Sequence, residues 1–258
     1  PSNVPMNFAY SFAFGMLSGN YNIVRLPSKK FYQISILCDV IKKICKRSKY
    51  KQIFSSFLFI RYERSLETSS YFSLKADARL IWGGDNTIEE FKKFKTQPRC
   101  IDLNFANRFS FSIIKPSSLK KITKKNYLNF LKNFYNDCYL MDQKGCSSPK
   151  LILWLIKKET KKMDRIIIEK FWRDFQEYVS HNYTDDLSIT NKKISLLLND
   201  ILKSNIHYTT NYKKFNVVRL KMKNLSTDFD KLNNSFGIFA EKSISDLEDL
   251  KKIVTKKF

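Results

Sequence analysis

One short segment sets the architecture of this chain: Ala78-Arg79-Leu80-Ile81-Trp82-Gly83-Gly84-Asp85-Asn86-Thr87. Its apolar start predicts a strand over Ala78–Trp82, and the residues beyond the two glycines predict a helix over Thr87–Phe94. Glycines at the carboxyl end of a parallel strand let a ligand approach the backbone, and the next helix N-terminus offers free N–H groups that suit a pyrophosphate. The spacing is not the GxGxxG pattern of dinucleotide-binding proteins, so an ordinary strand-to-helix turn fits as well.

Strands and helices alternate on both sides of this segment. Further strands are predicted over Tyr21–Leu26, Phe54–Ile60, Arg99–Asn104, Phe109–Ile114, Leu151–Leu155, Asn216–Met222 and Ser235–Ala240. Further helices are predicted over Phe8–Leu17 with Asn7 as its cap, Lys29–Lys46 with Ser28 as its cap, Leu66–Phe72, Tyr127–Leu140, Asp164–His181, Ile189–Leu202 and Ser245–Val254. This alternation predicts an α/β protein with a parallel sheet. We expect two domains, residues 1–115 and 116–258, with the boundary near Lys115.

The chain is strongly basic, with a formal net charge of +23. Such a charge fits an anionic partner: nucleic acid, an acidic membrane surface or a phosphorylated ligand. However, the lysines are scattered in small groups such as Lys42-Lys43, Lys120-Lys121 and Lys161-Lys162, and no single arm concentrates them. This scatter favours a solvated surface, and we expect no specific binding of nucleic acid.

The cysteines and the apolar runs bear on location. Five cysteines, an odd number without paired spacing, indicate a reducing compartment, and we expect the cytoplasm. No Cys or His cluster has metal-ligand spacing, so no metal site is predicted.

The longest apolar stretch, Phe8–Leu17, is too short to span a bilayer. Because the chain begins at Pro1 rather than at a methionine, we expect a fragment of a longer protein.

A cysteine stands on a loop of small and polar residues, Met141-Asp142-Gln143-Lys144-Gly145-Cys146-Ser147-Ser148-Pro149. Gly145 lets the backbone turn and leaves space beside the sulfur, and Pro149 prevents the continuation of a helix or strand. A substrate can reach a thiol in such a setting, so Cys146 is a candidate nucleophile. A lone loop cysteine is more often inert, and the loop alone does not decide between the two.

Two other motifs carry polar groups that suit a site. Asn7 precedes an apolar helix, and its amide either donates to a developing oxyanion or only caps the helix. The segment Pro27-Ser28-Lys29 follows a strand, and Lys29 either meets a phosphate or is solvated.

The order of these motifs resembles the aldehyde dehydrogenase superfamily, and above all its LuxC-type branch, the long-chain fatty acyl-CoA reductases of bacterial luminescence systems and their relatives. The order is Pro-x-Asn-Phe, then Gly-Asn-x-x-x-Val-x-x-Pro-Ser, then a Gly-Gly turn after a strand, then the cysteine. The matching stretches lie in Asn3–Lys29, Phe59–Ser65, Ile81–Ile88, Ile101–Arg108 and Asp142–Pro149.

The resemblance implies a fold and a reaction, and it implies that this chain is a fragment lacking both ends of the family. The fold is aldehyde dehydrogenase-like: a partial parallel-sheet nucleotide-binding domain over residues 1–115 and an α/β catalytic domain over residues 116–258. In the reaction, Cys146 takes an acyl group as a thioester, and hydride from NADPH releases a fatty aldehyde.

The resemblance also implies roles for single residues. Asn7 matches the residue that stabilises the oxyanion, with the Cys146 backbone N–H as a second donor. The cofactor-binding positions are Gly83, Gly84 and Thr87 in the glycine turn, and Ser28 and Lys29 beside the adenosine ribose.

Three departures from the superfamily pattern matter. Leu26 stands where the superfamily has a lysine, and Arg25, one place earlier, falls on the opposite face of the strand. The Glu-Leu-Gly-Gly motif, whose glutamate activates water in aldehyde oxidation, is absent at Leu103–Asn107, which favours acyl reduction. Lys144 precedes Gly145 and either lowers the pKa of Cys146 or faces solvent.

The implied partners are an acyl-CoA or acyl-protein donor, with an acyl-protein synthetase and an acyl-transferase as candidate protein partners, and a second copy of the chain in a homo-oligomer. Two alternatives stay open. One is an NAD(P)-dependent aldehyde dehydrogenase of the same superfamily, and the other is a non-catalytic basic module that binds nucleic acid.

Overall fold

The protein is described by a computed structural model over residues 4, 6–106, 108–184, 186–203, 206–211, 215–225 and 234–252. The chain divides into two compact units, Pro1–Asn107 and Arg108–Phe258. This division precedes the predicted boundary at Lys115, because the strand Phe111–Ile114 pairs with a strand of the second unit. Asn3, Pro5 and Asn107, which carry part of the motif match, lie outside the described residues.

The first unit alternates helices with short parallel strands. Its helices are α1 (Asn7–Leu17), α2 (Tyr32–Cys45), α3 (Lys51–Phe54), α4 (Leu66–Lys75) and α5 (Asp85–Lys92). Its strands are β1 (Asn22–Arg25), β2 (Phe57–Ile60), β3 (Ala78–Trp82) and β4 (Ile101–Phe105). β1 pairs with β2 and β3 with β4, both in parallel register, so the predicted parallel pairing is confirmed but as two separate ladders. The predicted strand over Phe54–Ile60 starts later, because α3 takes its first residue.

Side chains on alternate positions of β1 explain how the first unit packs. Val24 and Leu26 lie against a small core that includes the buried Phe8 and Ile34, whereas Arg25 on the other face is exposed. This alternation confirms that Arg25 and Leu26 point to opposite faces. The Arg25 guanidinium stacks on the Tyr62 ring at 4.3 Å from its centroid.

An ion pair ties β3, β4 and α5 together. Arg79 donates from Nε and NH2 to the two oxygens of Asp102, at 2.7 and 2.6 Å, and from NH1 to the carbonyl of Phe91 at 3.0 Å. The bidentate geometry matches the planar guanidinium to the carboxylate. As a result, the hydrogen bonds from Arg79 hold the pKa of Asp102 below its usual value.

The second unit is built on one five-stranded sheet. Its helices are α6 (Pro116–Lys121), α7 (Lys124–Tyr139), α8 (Lys161–Asn182) and α9 (Leu187–Lys203). Its strands are β5 (Phe111–Ile114), β6 (Leu151–Leu155), β7 (Ile206–Asn211), β8 (Val218–Met222) and β9 (Ile238–Ile244). The order across the sheet is β5-β6-β9-β8-β7, with every pair parallel except β7 and β8. β7 was not predicted, and the predicted last helix is a 3-10 segment over Leu247–Lys252. The end of that predicted helix, Val254, lies outside the described residues.

An aromatic core packs between α7, α8 and the sheet. Phe134, Phe171, Phe175 and Phe239 are buried, and five pairs of these rings are in contact, at centroid distances of 4.9 to 6.2 Å. β6 is covered on both faces over its first four residues, which explains its unbroken apolar sequence. The strand that follows the cysteine loop is therefore anchored in the best-packed part of the unit.

A buried ion pair crosses the same sheet. Arg219 of β8 is fully buried and donates to Glu241 of β9 at 3.0 Å and to Glu169 of α8 at 2.7 and 2.9 Å. The indole N–H groups of Trp154 and Trp172 both donate to the second oxygen of Glu241, each at 2.9 Å. Every oxygen of the buried Glu241 carboxylate is thus hydrogen-bonded, as a charge in a core requires.

Candidate active site

Cys146 lies on the loop between α7 and β6, and it is the exposed member of the five cysteines. Cys45 and Cys138 are buried, and Cys38 and Cys100 are partly covered. Burial raises the pKa of the Cys138 thiol well above its usual value, and it also raises the pKa of Cys38, with a smaller contribution from the nearby Asp39 charge. A reagent in solution therefore meets the Cys146 thiol first.

The loop that carries Cys146 begins with two consecutive residues in the left-handed backbone region. Asp142 has φ of 50° and Gln143 has φ of 59°. Neither residue is a glycine, so each conformation costs about 1–2 kcal/mol and needs support from its surroundings. Backbone bonds give part of that support, because the Asp142 N–H donates to Tyr139 O at 3.1 Å and the Lys144 N–H to Met141 O at 2.8 Å.

A second left-handed pair, Phe236 and Gly237, lies just before β9, with φ of 58° and 82°. It is bonded directly to the first pair: the Phe236 N–H donates to Asp142 O at 3.0 Å, and the Gly237 N–H donates to Gln143 Oε1 at 3.1 Å. We call these four residues, Asp142, Gln143, Phe236 and Gly237, the left-handed junction. It contains all the non-glycine residues with positive φ in the described part of the chain.

Gln143 closes the loop from inside. Its side chain is fully buried, and its Nε2 donates to the carbonyl of Pro149 at 2.9 Å while its Oε1 accepts from Gly237. The amide thus joins the start of the loop, the end of the loop and the start of β9. Tyr183 adds a bond from its hydroxyl to Asp142 Oδ1 at 2.8 Å.

Lys144 is engaged on the loop itself. Its ammonium lies 3.4 Å from Asp142 Oδ2 and 4.2 Å from the centroid of the Phe236 ring. Both contacts are to residues of the left-handed junction, so Lys144 supports the junction in addition to being partly exposed. The sequence offered a role at the thiol or a solvated lysine as the alternatives for Lys144, and it did not indicate these contacts with the junction.

The polar groups around Cys146 leave one donor free. The hydroxyl of Ser110 donates to the Cys146 carbonyl at 2.5 Å, and that of Ser148 donates to Asp137 O at 2.5 Å. Within the described part of the chain, no acceptor is hydrogen-bonded to the Cys146 backbone N–H. Gly145 beside it is close to Ser148, since a Cβ at this position would lie 3.0 Å from Ser148 Oγ.

The glycine turn of the first unit has the predicted order, but its helix begins earlier than predicted. Gly84 is the N-cap of α5, so the first helical residues are Asp85 and Asn86, ahead of the predicted start at Thr87. The N–H groups of Thr87 and Ile88 bond to Gly84 O, whereas those of Asp85 and Asn86 have no partner among the described residues. The sequence prediction thus missed the backbone donors of Asp85 and Asn86. Gly84 could have indicated them, because glycine is favoured at a helix N-cap.

Gly83 has a packing role in this turn. A Cβ at Gly83 would lie 2.9 Å from both Cβ and Cγ2 of Thr87, closer than side-chain carbons approach each other. Its N–H donates to Phe105 O at 3.2 Å, which continues the pairing of β3 with β4. Gly83 therefore lets α5 start directly against the end of β3.

The remaining predicted site residues also belong to the first unit. Asn7 is the first residue of α1 and not its cap, because Met6 holds the N-cap position, and the Asn7 side chain has no hydrogen-bond partner in the described ranges. Ser28 does not cap α2 either, because α2 begins at Tyr32, and Ser28 and Lys29 are exposed in the loop after β1. The Lys29 ammonium lies 5.3 Å from the centroid of the Phe31 ring.

The structure thus distributes the predicted site residues over two units. Ser28 and Lys29 follow β1, and Gly83 and Gly84 follow β3, so both groups stand at carboxyl ends of parallel strands. Cys146 belongs to the second unit. In the described ranges, no helix combines the length and the apolar character needed to cross a membrane.

Comparisons with known proteins show which family and which folds this chain is similar to. A family profile described as acyl-CoA reductase (LuxC) matches residues 1–209. Comparison with curated protein sequences gives no match.

Solved structures with a similar fold are aldehyde dehydrogenases. Aldehyde dehydrogenase 21 of Physcomitrella patens superposes with a TM-score of 0.64 at 13% identity, covering 97% of this chain and 51% of that one. A lactaldehyde dehydrogenase gives a TM-score of 0.62 at 11% identity, with coverages of 96% and 52%. A betaine aldehyde dehydrogenase variant of Staphylococcus aureus gives 0.55 at 12% identity, with coverages of 89% and 47%. The chain therefore spans about half the length of these structures.

Proposed function

This chain belongs to the acyl-CoA reductase (LuxC) family and has the aldehyde dehydrogenase-like α/β fold predicted from its sequence, and from this premise we propose that it reduces a long-chain fatty acyl thioester to a fatty aldehyde through an acyl group on Cys146. The supporting observation is the setting of Cys146. Its thiol is exposed on a loop that hydrogen bonds hold at both ends, and none of the described residues accepts a hydrogen bond from its own N–H.

The acyl-transfer step follows from that setting. The Cys146 thiolate attacks the carbonyl carbon of the acyl thioester, a carbon–sulfur bond forms, and the bond to the thiol of coenzyme A breaks. The carbonyl oxygen becomes an anion in the intermediate, and we propose the Cys146 N–H as a donor to this oxyanion. The side-chain amide of Asn7, which has no hydrogen-bond partner among the described residues, is proposed as the second donor.

The residues of the first unit fit a nicotinamide dinucleotide. The free N–H groups of Asp85 and Asn86 at the start of α5 suit a phosphate oxygen, and Gly84 keeps side-chain atoms away from them. Lys29 and Ser28 are exposed after β1 and would meet the adenosine ribose and its phosphate. When bound, the cofactor supplies the hydride that converts the acyl group on Cys146 to the aldehyde.

We propose NADPH as the cofactor, and the betaine aldehyde dehydrogenase with a similar fold is described in complex with NAD+. The Asp85 carboxylate at the start of α5 repels phosphate, which opposes the attraction of the N–H groups there. The proposed partners are an acyl-CoA or acyl-protein donor and a second copy of the chain, in the cytoplasm.

Acyl reduction is favoured over aldehyde oxidation by the sequence at the end of β4. The segment Leu103–Ala106 contains no glutamate that could activate water against the thioester. A thioester that resists water survives until hydride arrives, which a reductase requires and an oxidising enzyme does not.

The test is acylation of the full chain by palmitoyl-CoA, followed by intact mass and peptide mapping. We expect one acyl adduct, on the peptide that contains Cys146, and aldehyde formation when NADPH is added. Cys146→Ser should lose the adduct and the aldehyde, whereas Cys38→Ser, at a partly covered core position, should keep both. An adduct on Cys38, or full aldehyde formation by Cys146→Ser, would refute the proposal.

A further inference from the structure

The left-handed junction concentrates unusual backbone geometry at one place. Each non-glycine residue with positive φ in the described part of the chain belongs to it, and its two pairs are 93 residues or more apart in sequence while hydrogen-bonded to each other. Strained residues persist only where the surrounding structure over-determines them, and they cluster at functional sites. The junction lies directly at the entry of the Cys146 loop.

Gln143 is the residue that links the parts of this junction. Its backbone is left-handed and its side chain is fully buried. Its amide Nε2 donates to the Pro149 carbonyl oxygen, and its Oε1 accepts from the Gly237 N–H. Cys146 stands between Gln143 and Pro149, so the amide spans the segment that carries the thiol. A side chain without this donor and acceptor would leave two buried backbone groups unpaired at the base of the loop.

The position of the Cys146 N–H depends on this closure. The Cys146 carbonyl accepts a hydrogen bond from the Ser110 hydroxyl, and the Lys150 N–H donates to Ser110 O at 2.9 Å. These bonds fix the loop on its β5 side, and Gln143 fixes it on its β9 side. A donor in an oxyanion site acts only when it is held within a fraction of an ångström of its place.

We propose that Gln143 is a positioning residue for acyl transfer, which holds the Cys146 sulfur and N–H in register by tying the loop to Pro149 and Gly237. This inference deepens the proposed function and rests on it only in taking Cys146 as the acyl acceptor. Gln143 itself touches no substrate in this scheme. It acts through the shape of the loop.

Two reactions of the same thiol separate positioning from simple stability. In acyl transfer from p-nitrophenyl acetate, the Cys146 sulfur bonds to the acetyl carbon, the thiol proton goes to water and an oxyanion forms. The oxyanion then collapses as p-nitrophenolate leaves. In alkylation by iodoacetamide, the sulfur bonds to the methylene carbon and iodide leaves, with no oxyanion. A positioned N–H therefore assists the first reaction and not the second.

The experiment compares the full chain with Gln143→Met, which keeps the length of the side chain and removes both hydrogen bonds. Gln176→Met is the matched control, because Gln176 is also a buried glutamine of the second unit, on α8, where its Nε2 donates to Ser180 Oγ at 3.2 Å. We call the rapid release of p-nitrophenolate that accompanies acetylation of Cys146 the acetyl burst. We expect Gln143→Met to slow the rate of this burst tenfold or more and to change the rate of Cys146 alkylation by iodoacetamide less than threefold. Gln176→Met should leave both rates within twofold of the original chain.

Three outcomes would overturn the inference: an acetyl burst in Gln143→Met within threefold of the original chain, a parallel fall of both reactions, or the same selective loss in Gln176→Met. If Gln143→Met does not fold, Tyr183→Phe removes the hydroxyl bond to Asp142 at the same junction, and it should slow the burst at least threefold without slowing alkylation. An unchanged burst in Tyr183→Phe would then overturn it.

The same assay separates this inference from the proposed function. An original chain that takes acetyl from the ester at Cys146 but never takes an acyl group from palmitoyl-CoA would remove the acyl-CoA proposal. The comparison of Gln143→Met with Gln176→Met would still decide the role of Gln143.

Discussion

Gly237→Ala should destabilise the second unit strongly. Gly237 has φ of 82°, and a Cβ there would collide with the Tyr139 hydroxyl and with the carbonyl oxygen of Asn216. These two groups are hydrogen-bonded to each other at 2.7 Å, and Lys193 Nζ also donates to Asn216 O at 3.0 Å, so the backbone oxygen cannot move away without breaking contacts. The left-handed conformation of an alanine costs about 1–2 kcal/mol, and the overpacking costs about 1–3 kcal/mol more.

Part of this cost is offset in the unfolded chain, where an alanine has fewer conformations than a glycine, by about 0.4–1 kcal/mol. The expected net loss in the free energy of unfolding is therefore about 2–4 kcal/mol. Urea unfolding followed by tryptophan fluorescence measures it, because Trp154 and Trp172 are both buried in the second unit.

Gly19→Ala is the matched control for the backbone part of this cost. Gly19 has φ of 75°, but no heavy atom lies within 4 Å of the Cβ that an alanine would add. Its net loss should stay near 1 kcal/mol, measured by circular dichroism on the unfolding of the first unit. A loss in Gly237→Ala no larger than that in Gly19→Ala would refute the reasoning from the collision.

Three further predictions concern the first unit and the charge. Gly84→Val should raise the Kd for NADPH well beyond its effect on unfolding, because it places carbon atoms beside the free N–H groups of α5; an unchanged Kd by calorimetry would make the turn purely structural. Neutralising Lys29–Lys30 should weaken NADPH binding, whereas neutralising Lys161–Lys162 should not. Binding to DNA should be weak and lost at physiological salt, and salt-resistant DNA binding would contradict that expectation. Arg79 holds the pKa of Asp102 below its usual value. The stability that the Arg79–Asp102 pair contributes is therefore present above the ordinary carboxyl pKa of about 4, and it is lost as the pH falls through the lowered pKa of the folded state. The difference in unfolding free energy between the original chain and Arg79→Met should accordingly be largest above about pH 5 and shrink in acid; a difference that grows in acid would contradict the assignment.

Local patterns were sufficient where a run of residues had one strong preference. The strands Ala78–Trp82 and Leu151–Leu155 lie where the sequence predicted them, because short apolar runs end at glycine or follow proline. The start of α5 was misplaced, because Gly84 is the cap and Asp85 is already helical. The edge strand Ile206–Asn211 was missed, because it has few apolar residues and pairs in the antiparallel direction with β8.

The geometry of the candidate site was less accessible from sequence. Cys146 and the glycine turn stood out through residue type and order, but nothing local predicts left-handed backbone at Gln143 or Phe236. Glutamine and phenylalanine have no preference for that region, and these conformations depend on bonds between segments far apart in the chain. Sequence reasoning can propose the nucleophile, whereas the groups that hold it come from tertiary contacts.

The place of β9 in the sheet has a consequence for synthesis on the ribosome. β9 lies between β6 and β8, yet it is the last strand along the described chain, and the pair Phe236–Gly237 comes immediately before it. A nascent chain that has emerged only as far as residue 209, the end of the family match, has Cys146 but neither the central strand nor the partner of Gln143. The thiol would thus leave the exit tunnel well before its loop can make the bonds to Phe236 and Gly237.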